Sequence, residues 1–570
     1  MLPEATWTVA GPDTSVVEML AGELGLNPIV ARCIVNRGHD DPSLVREYLE
    51  PRLSSLTSPD SMADLSRAAK RTVEAIARGE RIGVFGDYDV DGVTSAALVT
   101  SFLRDLDVDG ETAIADRFAG GYGLTPAVVE EMHAKGVALL IVVDCGTSDH
   151  AAANRARELG VDIIIVDHHA VEGNHPEVAA FVNPQRKDCG FPDKGLAAVG
   201  LAFYFVAAVR SRLVEGGRLE RSKVDPRNYL DLVALGTVAD VAPLVGNNRI
   251  FVSFGLKQLS ESRRPGLTAL VKTSRIRSRR MRSEHISYQL APRLNAAGRL
   301  ASARDSFEIL IARGQRESAA LADRLEALTM ERRQIEERVS NEARRQVDEL
   351  GIRNSPVIVV GGDGWHRGVL GIVAARLGEE FRRPTYVIGF EGDEGVGSAR
   401  SQGQINLHKS LMAVERHLVR FGGHRDAAGF TIERSSLTAF RKDLSSHVAS
   451  LDRRMAPAPL VCDGRLNPSQ LTSSLLSDLE RLGPFGNGNP EPVFEVAGLD
   501  VLGARVVGGS HLKLELKTPT GTVSAFGPRM GAIATEIPPM IRVAASVTHD
   551  EWRGEGTPEL RLVQPPSSDG

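Results

Sequence analysis

Arg81-Ile82-Gly83-Val84-Phe85-Gly86-Asp87-Tyr88-Asp89-Val90-Asp91-Gly92 is a short apolar and aromatic run that ends in three aspartates at alternate positions, followed by glycine. Carboxylates gathered so closely repel one another unless a cation sits among them. Two later runs end in the same way: Ala138-Leu139-Leu140-Ile141-Val142-Val143 leads into Asp144-Cys145-Gly146, and Asp162-Ile163-Ile164-Ile165-Val166 into Asp167-His168-His169. Near-continuous apolar runs separated by helix-like segments mark parallel strands covered on both faces. Ligands of an open α/β sheet sit outside the carboxyl ends of its strands. The sequence therefore predicts a parallel α/β sheet whose acidic strand ends meet at one edge.

Length and composition bound the reading. At 570 residues the chain holds three or four domains, at roughly 100–200 residues each. Its 42% hydrophobic content suffices for ordinary cores, and no run approaches the ~20 apolar residues of a membrane span. The start Met1-Leu2-Pro3-Glu4-Ala5 lacks a basic stretch followed by an apolar one, so no secretory signal is expected. Four cysteines, Cys33, Cys145, Cys189 and Cys462, occur without a CxxC pair, which fits a reducing cytoplasm and argues against a structural zinc site. The net charge of −5 hides a local bias. Between Arg263 and Arg304 the bases Arg263, Arg264, Lys272, Arg275, Arg277, Arg279, Arg280, Arg282, Arg293 and Arg299 meet a lone acid, Glu284. An isolated basic run is usually a solvated face; beside a carboxylate cluster it also suits a phosphodiester strand.

In chain order, residues 1–50 read as a helical lead-in with Thr14 or Ser15 as caps and Pro51 at its end. A catalytic α/β domain is expected over 51–314, opening with an amphipathic helix over 62–79 that Gly79 closes, and mainly helical from Gly195 to about 260. No glycine or proline interrupts 315–350, where Leu321, Leu325, Leu328, Ile335, Val339, Ala343 and Leu350 recur at helical spacing. That predicts a connecting helix of about 54 Å, an intramolecular strut rather than a coiled coil, because the stripe lacks sustained heptads. A second, smaller α/β domain follows over 351–455, with strands at Pro356–Val360 and Thr385–Phe390, a helix at Val369–Glu380, and small-residue loops at 397–401 and 422–429. Ala456-Pro457-Ala458-Pro459 reads as a linker. Over 456–570 the alternation of His511–Lys517 and the short runs Val523–Phe526 and Ile541–Val547 predict a small β-barrel of the OB-fold type, with an unstructured tail from Pro565.

Asp-x-Asp-x-Asp-Gly also opens an EF-hand calcium loop. Here the twelfth position is Leu98 where a bidentate glutamate is required, and a strand precedes the motif instead of a helix. That reading fails. Asp89, Asp91, Asp144 and Asp240, with adjacent histidines after Asp167, instead form a metal-ligand set. Oxygen donors with an imidazole suit manganese or magnesium better than zinc. Two ions about 3.5–4 Å apart would clamp the attacking and leaving oxygens of a phosphoryl transfer.

Asp87-Tyr88-Asp89-Val90-Asp91-Gly92, Val143-Asp144-Cys145-Gly146, Asp167-His168-His169 and Gly236-Thr237-Val238-Ala239-Asp240 resemble the four motifs of the DHH phosphoesterases. Four further segments resemble the RecJ family of bacterial single-strand-specific 5′ exonucleases, over roughly residues 50 to 560. They are Arg117-Phe118 with Gly121-Tyr122-Gly123-Leu124, Pro292-Arg293-Leu294-Asn295-Ala296-Ala297-Gly298-Arg299, Trp365-His366-Arg367-Gly368-Val369-Leu370-Gly371-Ile372 and Pro484-Phe485-Gly486-Asn487-Gly488-Asn489-Pro490-Glu491-Pro492.

The resemblance implies that Asp89, Asp91, Asp144, His168 and Asp240 hold two Mn2+ or Mg2+ ions with Asp144 bridging. Asp87 would be a ligand or a neighbour that positions water, Asp167 would orient the adjacent imidazole, and His169 would contact the scissile phosphate or assist the leaving group. Arg117, Ser398 and Arg400 match the pocket that reads a terminal 5′ phosphate; Arg293, His424 and nearby glycines would line the DNA path between the α/β domains. The implied activity is release of 5′-mononucleotides from single-stranded DNA, 5′ to 3′, in recombination and repair. Phe485, Phe494, Phe526 and Trp552 are the aromatics with which the barrel could stack on bases. Single-strand-binding protein and a RecQ-type helicase are the implied partners of a cytoplasmic monomer, although the chain stops soon after the barrel where some members carry a further domain.

Other readings share part of the pattern. A phosphodiesterase for short oligoribonucleotides or cyclic dinucleotides should lack the long helix and barrel, and a family-II-like pyrophosphatase needs neither barrel nor basic run. A non-catalytic replication scaffold should have lost metal ligands, and here the acids and histidines are present.

Overall fold

The computed structural model describes residues 7–118, 123–401, 403, 405–451, 459–519, 521–550, 552–554 and 556–569. Gly121 and Tyr122 of the Gly-Tyr-Gly-Leu segment and Ala456-Pro457-Ala458 of the expected linker lie outside these residues. The chain forms two compact units. The first comprises Met1–Ala291, Phe307–Ala319 and Ala458–Gly570, and the second Pro292–Ser306 and Ala320–Pro457.

In the first unit, five parallel strands pair in the order Gly110–Ile114, Ile82–Gly86, Leu139–Val143, Asp162–Val166, Ala180–Val182. Every residue of Ile82–Gly86 and Leu139–Val143 is buried, as the apolar runs require. The helices Pro126–Ala134 and His150–Leu159 cover one face through Val129, Met132, Ala152 and Ala156, which pack on Phe85, Leu140, Val142, Ile163 and Ile165. Helices Leu65–Arg78, Val90–Asp105 and Ala198–Glu215 pack against the other side of the strands. Gly79 ends Leu65–Arg78 in the left-handed conformation (φ 66°) as predicted.

The same unit contains the C-terminal barrel. Strands Phe494–Val507, His511–Thr518, Gly521–Gly527, Pro558–Leu562 and Met540–His549 pair in that order, and Met540–His549 returns to Phe494–Val507 to close it. The strand order and the parallel pair Gly521–Gly527 with Pro558–Leu562 are those of an OB-fold.

Several features depart from the sequence reading. The lead-in helices Thr14–Leu24, Pro28–Asn36 and Pro42–Leu49 bury Val17, Leu20, Val30, Ile34 and Val45 in one core with Leu475, Leu514, Ile541 and Leu560 of the barrel region. The strand Trp7–Val9 pairs with Leu460–Cys462. The first helix is capped by Asp13, whose carboxylate accepts from the Ser15 N–H at 2.9 Å, and not by Thr14 or Ser15; the acceptor must stand outside the helix to reach its free N–H groups. The tail is ordered as well: Ser567–Ser568 pairs with Ile541 and Arg542, because Met540–His549 has backbone groups left to satisfy there.

The second unit holds a five-stranded sheet in the order Leu418–Gly423, Ala427–Glu433, Glu394–Arg400, Thr385–Glu391, Ile358–Asp363, with only the last pair parallel. Helix Gln315–Glu349, 35 residues long, begins in the first unit and continues into the second, where Val339, Ala343 and Val347 join helix Arg367–Phe381 on one face of the sheet. Helices Leu407–Met412 and Leu437–Ser450 cover the other face. The segments 397–401 and 422–429, expected as loops, form instead the end of one strand and a β-hairpin. Gly397 is a packing position: a Cβ on it would lie 2.2 Å from the Phe430 ring.

Candidate metal centre

The strand order puts Ile82–Gly86 and Leu139–Val143 side by side with their following helices on opposite faces, so a crevice opens where they end. Register makes the ends level: Gly86, Val143, Val166 and Val182 are successive partners, so Asp87, Asp144, Asp167 and Asn183 leave the sheet at the same height. Asp144 adopts φ 61°, a left-handed conformation uncommon for a residue with a side chain.

After Asp87 the chain turns at once into helix Val90–Asp105. Asp89 caps it, accepting from the N–H groups of Asp91 (2.9 Å) and Gly92 (3.1 Å). Asp91 is buried, and its carboxylate accepts from Ala198 N–H at 2.7 Å and Val199 N–H at 3.0 Å, at the start of helix Ala198–Glu215. The positive end of that helix offsets part of the burial of the charge. Two glycines of the motifs are needed for close approach. A Cβ on Gly92 would lie 2.6 Å from the Asp87 backbone, and one on Gly236 would lie 2.2 Å from Thr94 Oγ1 and 2.9 Å from Asp91 Oδ1. The second lets helix Leu230–Ala239 pack against Val90–Asp105 and deliver Asp240 at its C-terminal end.

Three overlapping groups of potential ligand atoms result: Asp87, Asp89 and Asp144; Asp91, His168 and Asp240; and Asp144, Asp167, His168 and His169, each within 4.8 Å. His168 Nε2 lies 3.3 Å from Asp144 Oδ1 and 3.9 Å from Asp91 Oδ2, and its Nδ1 lies 3.9 Å from Asp240 Oδ2. Asp87 Oδ1 and Asp144 Oδ1 are buried and accept no hydrogen bond among the described residues. Burial, followed by the charges of the neighbouring carboxylates, pushes Asp87, Asp91, Asp144 and Asp240 above the usual carboxylate range. Donor-free buried carboxylate oxygens around an imidazole fit hard divalent cations.

Asp167 is saturated differently. Its Oδ2 accepts from the Thr147 N–H at 3.1 Å and hydroxyl at 2.5 Å, while its Oδ1 accepts from the N–H groups of His168 (2.7 Å) and His169 (3.2 Å) and lies 2.7 Å from His169 Nδ1. Although burial opposes it, the His169 contact and the Thr147 hydroxyl hold this carboxyl well below its ordinary value. The reverse holds for His169: burial lowers its imidazole, but Asp167, then Asp89 and Asp240, raise it to about 9. Asp167 therefore fixes the ring of His169 and the backbone that carries His168. Thr147 and Asn183 were not anticipated. Asn183 donates to Thr147 Oγ1 (3.0 Å) and to the His169 carbonyl (2.9 Å); an asparagine ending a strand is a common turn residue, so only the register marks it.

The other predicted residues fall elsewhere. Arg117 lies over the Tyr88 ring at 4.1 Å, so the turn that carries Asp87 and Asp89 also fixes this arginine. In the second unit, Ser398 and Arg400 share strand Glu394–Arg400 and are linked by a 3.1 Å hydrogen bond; they face Gly371, where a Cβ would lie 2.8 Å from Arg400 Nη2. His424 is exposed at the hairpin beside them, its N–H on the Ala427 carbonyl and Ala427 level with Arg400. Arg293 is buried, with its Nε on Glu326 at 2.6 Å. Of the basic run, Arg264 pairs with Asp231 at 2.8 Å, whereas Arg275, Arg277, Arg279 and Arg280 are exposed. Among the four candidate stacking aromatics Trp552 is 80% exposed, and Phe494 is fully buried.

Comparison with known proteins agrees with this geometry. Family models match in three places: the DHH family, N-terminal domain, over residues 81–237, the DHHA1 domain over 354–450 and the RecJ OB domain over 462–564. The single-stranded-DNA-specific exonuclease RecJ of Escherichia coli (strain K12) is 33% identical over 554 residues, covering 94% of this chain and 92% of that protein. The chain belongs to the RecJ family. The RecJ of Bacillus subtilis (strain 168) is 32% identical over 567 residues, covering 98% of this chain and 70% of its own length. Among solved structures, RecJ from Thermus thermophilus in complex with Mn2+ is 29% identical and superposes with a TM-score of 0.82, covering 100% of this chain and 81% of that one. A RecJ structure containing Mn2+ accords with the oxygen-rich donor set at Asp87, Asp144 and His168.

Proposed function

We propose that this chain is a metal-dependent exonuclease that removes 5′-mononucleotides from single-stranded DNA in the 5′ to 3′ direction, in DNA recombination and repair. The observation that carries the reading is the pair of buried carboxylate oxygens on Asp87 and Asp144 that accept no hydrogen bond among the described residues, the second of them 3.3 Å from His168 Nε2, in a chain of the RecJ family. Two Mn2+ or Mg2+ ions, when bound by Asp87, Asp89, Asp91, Asp144, His168 and Asp240, supply a water of lowered pKa and neutralise charge on the attacking and leaving oxygens.

The chain's own groups do the rest. Asp144, shared by two ligand groups, is assigned as the bridge. Asp91 is anchored by the Ala198 and Val199 N–H groups, which set the height of its free lone pairs. Asp167 holds His169 through Nδ1, and the ring's Nε2 is assigned to donate to a phosphate oxygen or the departing 3′ oxygen. Arg117, steadied by Tyr88, is assigned to phosphate binding, and in the second unit Ser398, Arg400 and the exposed His424 carry the same chemistry. Arg293, whose Nε is held by Glu326, is assigned to the DNA path.

Among the described residues no helix is long and apolar enough to cross a membrane. The cytoplasm is the proposed location, a monomer the proposed state, and single-strand-binding protein and a RecQ-type helicase the proposed partners.

The test is digestion of oligonucleotides labelled at the 3′ end, single-stranded and duplex, with 5′-phosphate or 5′-hydroxyl starts, in Mn2+. Stepwise shortening of the single strand from its 5′ end is expected. Shortening from the 3′ end, equal cleavage of duplex, or cleavage confined to very short oligonucleotides would overturn the assignment.

A further inference from the structure

The segment Pro484–Pro492 is not accounted for by the metal ligands, yet it bonds to the turn that follows one of them, Asp240. Helix Leu230–Ala239 ends at Asp240, and the next residue, Val241, adopts φ 60°. The Ala242 N–H returns to the Thr237 carbonyl at 3.2 Å and the Val241 N–H to Val238 at 3.2 Å, a helix-ending turn whose left-handed position normally carries glycine. A β-branched residue in that conformation is a genuine outlier. Val241 is 65% exposed, so packing does not impose the conformation.

Asn487 bonds to this turn. Its Nδ2 donates to the Val241 carbonyl at 2.9 Å, and its own carbonyl accepts from the Leu244 N–H at 2.7 Å, so one residue brackets the turn on both sides of Ala242-Pro243. Asn487 is rigidly mounted. Asn487-Gly488 form the two-residue tip between Gly486 and Asn489, which bond each other at 2.9 and 3.2 Å, with Gly488 at φ 73°. Buried Asn489 donates to the Leu482 and Pro484 carbonyls, both at 2.9 Å, and accepts from Arg37 (3.2 Å) and the Tyr48 hydroxyl (3.0 Å). From the catalytic side, buried Arg249 reaches the Leu482 and Tyr48 carbonyls at 3.1 and 2.8 Å. The helical lead-in and the catalytic domain thus both brace the loop that carries Asn487, and Asn487 in turn bonds to the turn directly after Asp240.

We infer that Asn487 is a positioning residue of the metal centre: by holding the Val241 backbone left-handed it fixes the direction in which Asp240 presents its carboxylate. This rests on Asp240 being a metal ligand. The barrel segment is then part of the metal site, in addition to any contact it makes with DNA. Groups that orient metal ligands typically change metal affinity by about 10- to 100-fold when removed.

The experiment is Mn2+ binding to the full chain, followed by calorimetry and by the EPR signal of free Mn2+, in the wild type and in N487A, N487L, V241G, N487A/V241G and D240N. N487A and N487L should each weaken binding by about 10-fold at one site without lowering affinity for single-stranded DNA measured in Ca2+. N487L keeps the side chain's shape without its donor, so it still reads the bond if alanine destabilises the loop. V241G should bind as the wild type. N487A/V241G should recover most of the loss, because glycine adopts the conformation without help. Wild-type affinity in N487A and N487L would overturn the inference, as would a loss that V241G does not reduce. Unchanged affinity in D240N would instead overturn the assignment of Asp240 as a ligand.

Discussion

Asp167→Asn replaces one atom and should be costly. In the native site Oδ1 receives the His168 and His169 N–H groups and faces His169 Nδ1, while Oδ2 receives the Thr147 N–H and hydroxyl. An asparagine oxygen placed at Oδ1 keeps the histidine side, but its NH2 then meets the Thr147 N–H donor to donor. The Thr147 hydroxyl can rotate to accept; the N–H cannot. One stranded buried N–H costs about 1–3 kcal/mol, and three bonds that lose a charged acceptor cost about 1 kcal/mol each, about 4–6 kcal/mol together. The ring of His169 also loses its anchor, for which a 10- to 100-fold loss of activity is the usual scale. Urea denaturation of the metal-free protein and Mn2+-dependent cleavage of a 5′-phosphorylated oligonucleotide measure the two effects, with Thr147→Ser, which keeps the hydroxyl, as a control near wild type. A midpoint and a rate unchanged in Asp167→Asn would refute the view that this carboxylate organises the histidine pair.

Two further outcomes test other parts of the structure. Glu491 is pushed up to about 7, first by burial and then by the charge of Glu284. Its folded value lies above the ordinary 4.5, so its contribution to stability is present below about pH 4.5 and lost as pH rises through about 7. Glu491→Gln should flatten the fall in stability across that window and raise stability at pH 8 by at most about 3 kcal/mol, read from denaturation at several pH values; parallel pH profiles for the two proteins would contradict this. Gly371→Ala puts a Cβ 2.8 Å from Arg400 Nη2 and 3.1 Å from Ser398 Oγ. It should reduce the preference for 5′-phosphate over 5′-hydroxyl ends about 10-fold, the scale of one hydrogen bond to a charged group, in competition digests; an unchanged ratio would separate these residues from end recognition.

The gathering of carboxylates and histidines was legible in the sequence because it rests on local rules. A buried parallel strand needs a continuous apolar run, its end points into the ligand crevice, and the acids stand at those ends in Asp87, Asp144 and Asp167. What was not legible depends on distant pairings. Trp7–Val9 meets Leu460–Cys462 through backbone hydrogen bonds that no residue type announces. The barrel strand Phe494–Val507 escaped notice because its register shifts between Val496 and Leu499 and between Val501 and Gly503, and each shift breaks the alternation by which an amphipathic strand is recognised. Arg293 read as a free cation among other arginines, but its partner Glu326 stands on the long helix, 33 positions away. Asp91 illustrates the same limit inside the site: its place in the motif was evident, its anchoring by Ala198 and Val199 was not.

We propose that Asp87, Asp89, Asp91, Asp144, His168 and Asp240 form one metal centre organised by Asp144. Calorimetric titration of Mn2+ into the metal-free full chain and into Asp144→Asn tests it most directly. Two ions bound per chain are expected in the wild type, and loss of high-affinity binding in Asp144→Asn, with single-stranded DNA still bound. Wild-type stoichiometry and affinity in the variant would contradict it.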